Sequence, residues 1–280
     1  MAYDAAEGNV VLFAGLNGTG VLAHTWVWNG TNWSRENPVN SPPNRYLASM
    51  AYDASAGKMV LFGGQDSDTS FLGDTWAWNG TDWAQEHPAK SPPARSPAGM
   101  AYDAATGKVV LFGGVTAKGY LSDTWVWNGT DWTQEHPLHS PSARGYATMA
   151  YDAAAGKVVL FGGSTSSVAL SDTWVWNGTD WTEEHPATSP GERFGAAIAY
   201  DAARGEVVLF GGLNSSNHFL SDTWAWNGSD WRQDHPADSP TGRAVGAMAY
   251  DAAQGELVLF SGLDTLDIPS GLLSDTWVWK

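Results

Sequence analysis

Short runs of consecutive apolar residues recur along the chain, each fenced by turn-forming residues. Met59-Val60-Leu61-Phe62 and Val109-Val110-Leu111-Phe112 are two of them. A strand with one wet face alternates apolar and polar side chains, so a strand that is apolar at every position must be covered on both faces. In the unit that begins at Arg45, Leu47 to Tyr52 predicts a first strand. Asp53-Ala54-Ser55-Ala56-Gly57 then predicts a reversal, with Asp bonding back to the turn backbone and Gly free to take a positive φ. Met59 to Phe62 follows as a second strand closed by Gly63-Gly64. After a variable loop, Thr75-Trp76-Ala77-Trp78 predicts a third strand, and Asn79-Gly80 a tight hairpin into a fourth strand around Trp83.

The unit repeats. Tyr3, Tyr52, Tyr102, Tyr151, Tyr200 and Tyr250 lie 49, 50, 49, 49 and 50 residues apart, and all 17 tryptophans fall in six copies of one Trp-x-Trp-Asn-Gly-x-x-Trp stretch, the last broken after Trp279. Units of about 50 residues stack and share a continuous core. The expected organisation is a single domain over residues 1–280, with repeats starting near 1, 45, 95, 144, 193 and 243. Four-stranded antiparallel sheets packed face to face around an axis cover both faces of every strand and leave only short edges. The expected fold is therefore all-β, a six-bladed β-propeller.

Arg before the first strand, Gly-Gly after the second, Asp-Thr-Trp in the third and Trp in the fourth resemble the kelch repeat. Arg95, Gly113-Gly114, Asp123-Thr124-Trp125 and Trp132 show the pattern well. The resemblance covers essentially the whole chain. It implies the kelch propeller seen in bacterial surface proteins and in the central domain of galactose oxidase, and with it an extracellular or cell-surface setting for the parent protein. Two blades depart from the pattern, with Ala14-Gly15 and Ser261-Gly262 in place of Gly-Gly. Twenty residues separate each Asn of the hairpin from the next first strand, and they are missing between Lys280 and Met1. Blade 6 is thus expected to lack its outer strand, and blade 1 to keep only Met1 to Asp4 of its inner one. A trimmed chain, an engineered chain, or a fragment that pairs with another copy as an edge-paired homodimer and not a monomer would each account for this.

Composition narrows the partners. The formal charge is −16, which argues against nucleic acid or anionic membrane. Twenty of the 30 acidic residues sit at four repeated positions, so the charge is largely framework. There are no cysteines, hence no disulfide, thiolate metal site or Cys–Tyr cross-link of the galactose oxidase kind. No stretch approaches 18 consecutive apolar residues, and Met1 leads straight into repeat sequence, so neither membrane insertion nor a signal peptide is expected in this chain. The Asn-Gly-Thr/Ser sequons at Asn29, Asn79, Asn128, Asn177 and Asn227 read first as hairpin turns.

Chain direction puts the Tyr-Asp turns and Asn-Gly hairpins on one face, and the loops after Gly-Gly with the Pro-rich links on the other. All length variation falls in those loops, which hold 8, 9, 8, 8, 9 and 12 residues. Variable loops on a rigid scaffold are the usual place for recognition. On that face Arg45, Arg95, Arg144, Arg193 and Arg243 could ring an anion, or each could pair with the Asp of Asp-Thr-Trp in its own blade. Blade 1, which lacks the Arg, carries His24 in place of that Asp, and this favours pairing. Tyr46, Tyr146 and Phe194 differ between blades and are candidates for stacking on a ligand. Most tryptophans are not: burying one removes about 200 Å² from water, worth roughly 4–5 kcal/mol gross at ~25 cal/mol per Å². His87, His136, His185 and His235 recur once per blade, too far apart to share a metal, and His139 and His218 stand alone. No unique catalytic constellation exists outside the repeat positions, so neither an enzyme nor a cofactor is expected. The reading is a non-catalytic binding scaffold for a protein or glycan ligand. Its alternatives are a carbohydrate-binding, lectin-like propeller and an engineered or recently amplified scaffold with no evolved ligand.

Overall fold

The computed structural model describes residues 1–66 and 70–280; residues 67–69 of the blade 2 loop lie outside the described residues. Among the described residues six blade sheets follow one another along the chain, with one small two-stranded sheet in the blade 3 loop. Blade 2 is typical, with antiparallel strands Ser49–Asp53, Lys58–Phe62, Thr75–Trp78 and Trp83–Glu86 in that spatial order. Blades 3, 4 and 5 repeat it. Blade 1 begins with the short strand Ala2–Asp4, and blade 6 has only Ala247–Asp251, Glu256–Leu263 and Leu272–Trp279. First strands of neighbouring blades touch all the way round, blade 1 against blade 6 included, so the ring closes.

Both faces of the second strands are covered, as the apolar runs require. In blade 5, Val207 and Leu209 pack toward blade 4, against Val159 and Phe161, while Val208 and Phe210 pack toward blade 6, against Leu257 and Leu259. The Asp turns form as read: Asp103 Oδ1 accepts the backbone N–H groups of Ala105 and Thr106, and Gly107 takes φ +69°. The hairpins differ from a two-residue turn. Four residues, Asn79 to Asp82, join Trp78 to Trp83, and Asn79 Oδ1 accepts two backbone N–H groups and the Thr81 hydroxyl. The Asn side chain is what closes a loop of this length.

Tryptophan fastens the blades together. The fourth-strand Trp of each blade donates its indole N–H to the third-strand Thr of the blade before it: Trp83 to Thr25, Trp132 to Thr75, Trp181 to Thr124 and Trp231 to Thr173, all at 2.9 Å. The same bond closes the ring, from Trp33 of blade 1 to Thr276 of blade 6 at 2.9 Å. Each of these indoles also packs on a second-strand Phe of that preceding blade, with ring centroids 5.0 to 5.4 Å apart.

The Gly-Gly step has a steric reason. A Cβ on Gly113 would meet the carbonyl oxygen of Arg144, in the next blade, at 2.6 Å, and the residue sits at φ +64°. In blade 6 the Ser261 hydroxyl at this step donates to the Leu273 carbonyl. Ala14 in blade 1 keeps φ +67° beside Arg45, and nothing in the structure explains that exception. In both blades the second and third strands continue past the step through a bulge. Replacing Gly113 with Ala is expected to cost more than about 2 kcal/mol, since a left-handed residue with a Cβ already costs roughly 1–2 kcal/mol and the carbonyl contact adds to it. Urea denaturation checks this; a loss below ~0.5 kcal/mol would contradict the packing.

Candidate binding face

The loop face is built on buried ion pairs. Arg45, Arg95, Arg144, Arg193 and Arg243 are all buried, and each forms a two-pronged pair with the Asp of its own blade: Asp74, Asp123, Asp172, Asp222 and Asp275, at 2.6 to 2.7 Å for the shorter prong. At least two further donors of each arginine are also used. In Arg95, Nη1 reaches the Gly113 carbonyl and Nε the Pro93 carbonyl. The structure thus forms the within-blade pairs and not an open ring of guanidinium groups, and these five residues present no free charge to an anion. Each pairing Asp also accepts the indole N–H of the first third-strand Trp, as Asp123 does from Trp125 at 2.7 Å. One carboxylate therefore ties the link, the Gly-Gly step and the third strand together.

Burial pushes the carboxyls of Asp74, Asp123 and Asp222 toward protonation. At Asp74, Asp123 and Asp222 the hydrogen bonds and charge of the arginine, with the indole N–H, outweigh it, and the pKa falls below the ordinary carboxylate value. Asp275 is lowered chiefly by its hydrogen bonds from Arg243.

The aromatic candidates gather near one another. Tyr146 and Phe194 meet edge to face with ring centroids 5.6 Å apart. Burial raises the Tyr146 hydroxyl pKa, and the neighbouring Tyr120 and Tyr46 hydroxyls raise it further. Tyr120 was not legible as a candidate from the repeat. It is brought in by a short hairpin, Val115–Thr116 with Gly119–Tyr120, that stands in the blade 3 loop, and its ring lies against the Gly145 backbone. The one sequence signal was a Lys-Gly turn between β-prone residues. Tyr46, Tyr146 and Phe194 are all half-buried.

These aromatics stand on a collar of backbone hydrogen bonds. Tyr146 N–H donates to Pro97 O, Gly195 N–H to Tyr146 O, and Val245 N–H to Gly195 O, linking blades 3 to 6. Ser96 Oγ extends it to Leu47 O of blade 2. Leu47, Tyr146, Gly195 and Val245 take φ between +53° and +62° to make these contacts, a conformation that the sequence pattern did not announce. Around the collar nearly half of the loop residues are Ser, Thr, Asn or Gly, and Val168, Leu266 and Ile268 are exposed. The Pro-rich links do not stay on this face. Asn40, Lys90, His139 and Thr188 donate backbone N–H groups to Asp82, Asp131, Asp180 and Asp230 in the hairpin of the following blade.

Six radially packed antiparallel blades joined in this way define a β-propeller. Residues 2–182 match the KLHDC2/KLHL20/DRC7 Kelch-repeats domain model, and the chain belongs to the kelch-repeat family. No curated protein matches the chain significantly.

The sign of the Asp shifts gives a test. A lowered folded-state pKa means the pairs stabilise fully above the unfolded value of about 3.9 and lose that contribution as pH falls through the folded value. Asp123→Asn is expected to cost about 3–5 kcal/mol at pH 7, because Arg95 is left buried and unpaired. Asp275→Asn costs less, since that carboxylate is 42% exposed. Urea denaturation from pH 7 to pH 3 should show both deficits shrinking at the acid end. Equal costs at the two positions, or no dependence on pH, would contradict the assignment.

Proposed function

We propose that the chain is a non-catalytic interaction scaffold whose loop face recognises a segment of a partner protein. Kelch propellers are commonly protein-interaction scaffolds and generally non-enzymatic. One observation carries the reading for this chain. Tyr46, Tyr120, Tyr146 and Phe194 cluster on the face that holds all the length variation, while the second-strand Phe and fourth-strand Trp residues are spent on packing between blades.

The chemistry of the surface fits that use. Tyr and Phe supply rigid contact area at low entropic cost, and the surrounding Ser, Asn and Gly supply adaptable hydrogen bonds. The arginines hold this surface from below. Their role is to fix the loop roots, so that the aromatic cluster is preorganised before a ligand arrives. The expected ligand segment is apolar or aromatic at its centre and weakly charged.

A peptide-display selection against the immobilised protein, followed by affinity measurement, tests this. Tyr146→Ala and Phe194→Ala should each weaken the selected binders by about thirtyfold, the effect of losing an interface residue worth ~2 kcal/mol. Thr130→Ala, in a hairpin on the opposite face, should leave them unchanged. Binders indifferent to both loop-face substitutions would overturn the proposal.

A further inference from the structure

The aromatic patch on the loop face stands on a backbone that is already engaged. The carbonyls of Tyr46, Ser96, Pro97, Gly145, Tyr146 and Phe194 accept N–H groups at 2.8 to 3.4 Å, and Leu47 O takes the Ser96 hydroxyl at 2.9 Å. The N–H groups of the same six residues all donate in turn, except at Pro97, which has none. No strand edge is open among these residues, so a ligand does not join the patch by extending a sheet.

The side chains above that backbone are in the opposite condition. The hydroxyls of Tyr46, Tyr120 and Tyr146 make no hydrogen bond among the described residues. Tyrosine at the repeat position is different: the Tyr102 hydroxyl meets that of Ser55 at 2.8 Å. Burial raises the Tyr146 pKa, and the nearby hydroxyls of Tyr120 and Tyr46 add to it, so this phenol keeps its proton and remains a donor. What the patch offers is therefore aromatic surface and hydroxyl donors, with no free carbonyl between them.

Charge is placed on either side. The blade 3 hairpin that carries Tyr120 presents Lys118, and the blade 5 link that leads to Phe194 presents Glu192, both exposed. Glu192 accepts from the Ser215 hydroxyl at 2.9 Å, which holds the carboxylate in place. Tyr146 comes from blade 4, between the two, and its ring meets that of Phe194 at 5.6 Å.

Resting on the loop-face reading above, we infer that this patch takes a proline-rich segment in the polyproline II conformation, with one basic residue at the end nearest Phe194. A polyproline II chain has no internal hydrogen bonds and exposes its carbonyls, and each proline lacks an N–H. It brings acceptors and apolar ring surface with few donors, which complements what the patch leaves free. Aromatic-lined grooves recognise such segments because the conformation exists before binding and little entropy is lost. An α-helix would arrive with its carbonyls already bonded and give the three hydroxyls nothing to donate to. A sugar donates as readily as it accepts, and its own hydroxyls would find no backbone acceptor here. Glu192 attracts an Arg or Lys at one end of the segment, and Lys118 repels a second one at the other.

The probes are two synthetic peptides, Arg-Pro-Pro-Leu-Pro-Pro-Leu-Pro and the same sequence with every Pro replaced by Ala, titrated calorimetrically into the full chain. The proline peptide should bind saturably, and the alanine peptide at least roughly tenfold more weakly. Tyr46→Phe, Tyr120→Phe and Tyr146→Phe combined should weaken the proline peptide by at least about tenfold, the effect of losing more than one hydrogen bond. That variant should fold normally, since it keeps the rings and removes hydroxyls that have no partner. Glu192→Gln should weaken the peptide about two- to fivefold, a difference that fades at high salt. Failure of the proline peptide to bind, equal binding of the two peptides, or binding indifferent to the three hydroxyls overturns the inference. So does a glycan, found on an array, that binds through the same hydroxyls. The display selection separates this outcome from the broader reading. Selected binders that need Tyr146 and Phe194 but carry no proline run overturn the polyproline assignment and leave the scaffold reading standing, whereas binders indifferent to both residues overturn both.

Discussion

A buried hydrogen bond from an indole N–H to a threonine hydroxyl fixes how each blade sits on the one before it. The faces that meet between blades are apolar throughout, and the hydrophobic effect that presses them together has no direction. It would tolerate a slip or rotation of one sheet on another. A buried donor without its acceptor would not, because leaving it unmade costs about 1–3 kcal/mol. Five such bonds, repeated at one distance around the ring, give a non-specific attraction a single geometry. The second-strand Phe under each indole fills the space that this geometry leaves.

The ion pairs do for the loop face what the indoles do for the blade interior. A buried Arg–Asp pair adds little net stability compared with an apolar alternative, but it is costly to break, so it holds its neighbours to one arrangement. Each pair anchors a link, a Gly-Gly step and a third strand at the root of a variable loop. The loops can therefore differ in length and wording while their ends stay put. This separation lets aromatics from blades 2 to 5 converge on one patch, with the backbone collar setting their positions.

Much of this was legible in the repeat. Continuous apolar runs required strands covered on both faces, and the number of Trp-x-Trp copies set six blades. The missing residues between the last and first units foretold a three-stranded blade 6 and a stub in blade 1. The Arg–Asp pairing could be read from blade 1, where His24 stands in place of the Asp and the Arg is absent. The indole–threonine bond was harder to see. Its partners lie 57 or 58 residues apart in the four central cases, beyond one repeat, and the recurring Thr looked like ordinary strand composition. The collar was not visible either. Leu47, Tyr146 and Val245 take left-handed backbone that their side chains disfavour, Tyr146 and Val245 while donating to a carbonyl of the neighbouring blade and Leu47 while accepting from Ser96 Oγ. Tyr120 needed the blade 3 hairpin to bring it to the cluster.

The central claim is that these indoles lock the ring from inside. Hydrogen exchange of the tryptophan side-chain N–H groups, followed by ¹⁵N NMR, tests it most directly. The account predicts that the indole N–H groups of Trp83, Trp132, Trp181 and Trp231 exchange only through global unfolding, with that of Trp33 somewhat faster because its bond at the blade 1–blade 6 seam is part-buried. Exchange of the four central indoles at rates near those of exposed tryptophan, while the backbone of the second strands stays protected, would contradict it.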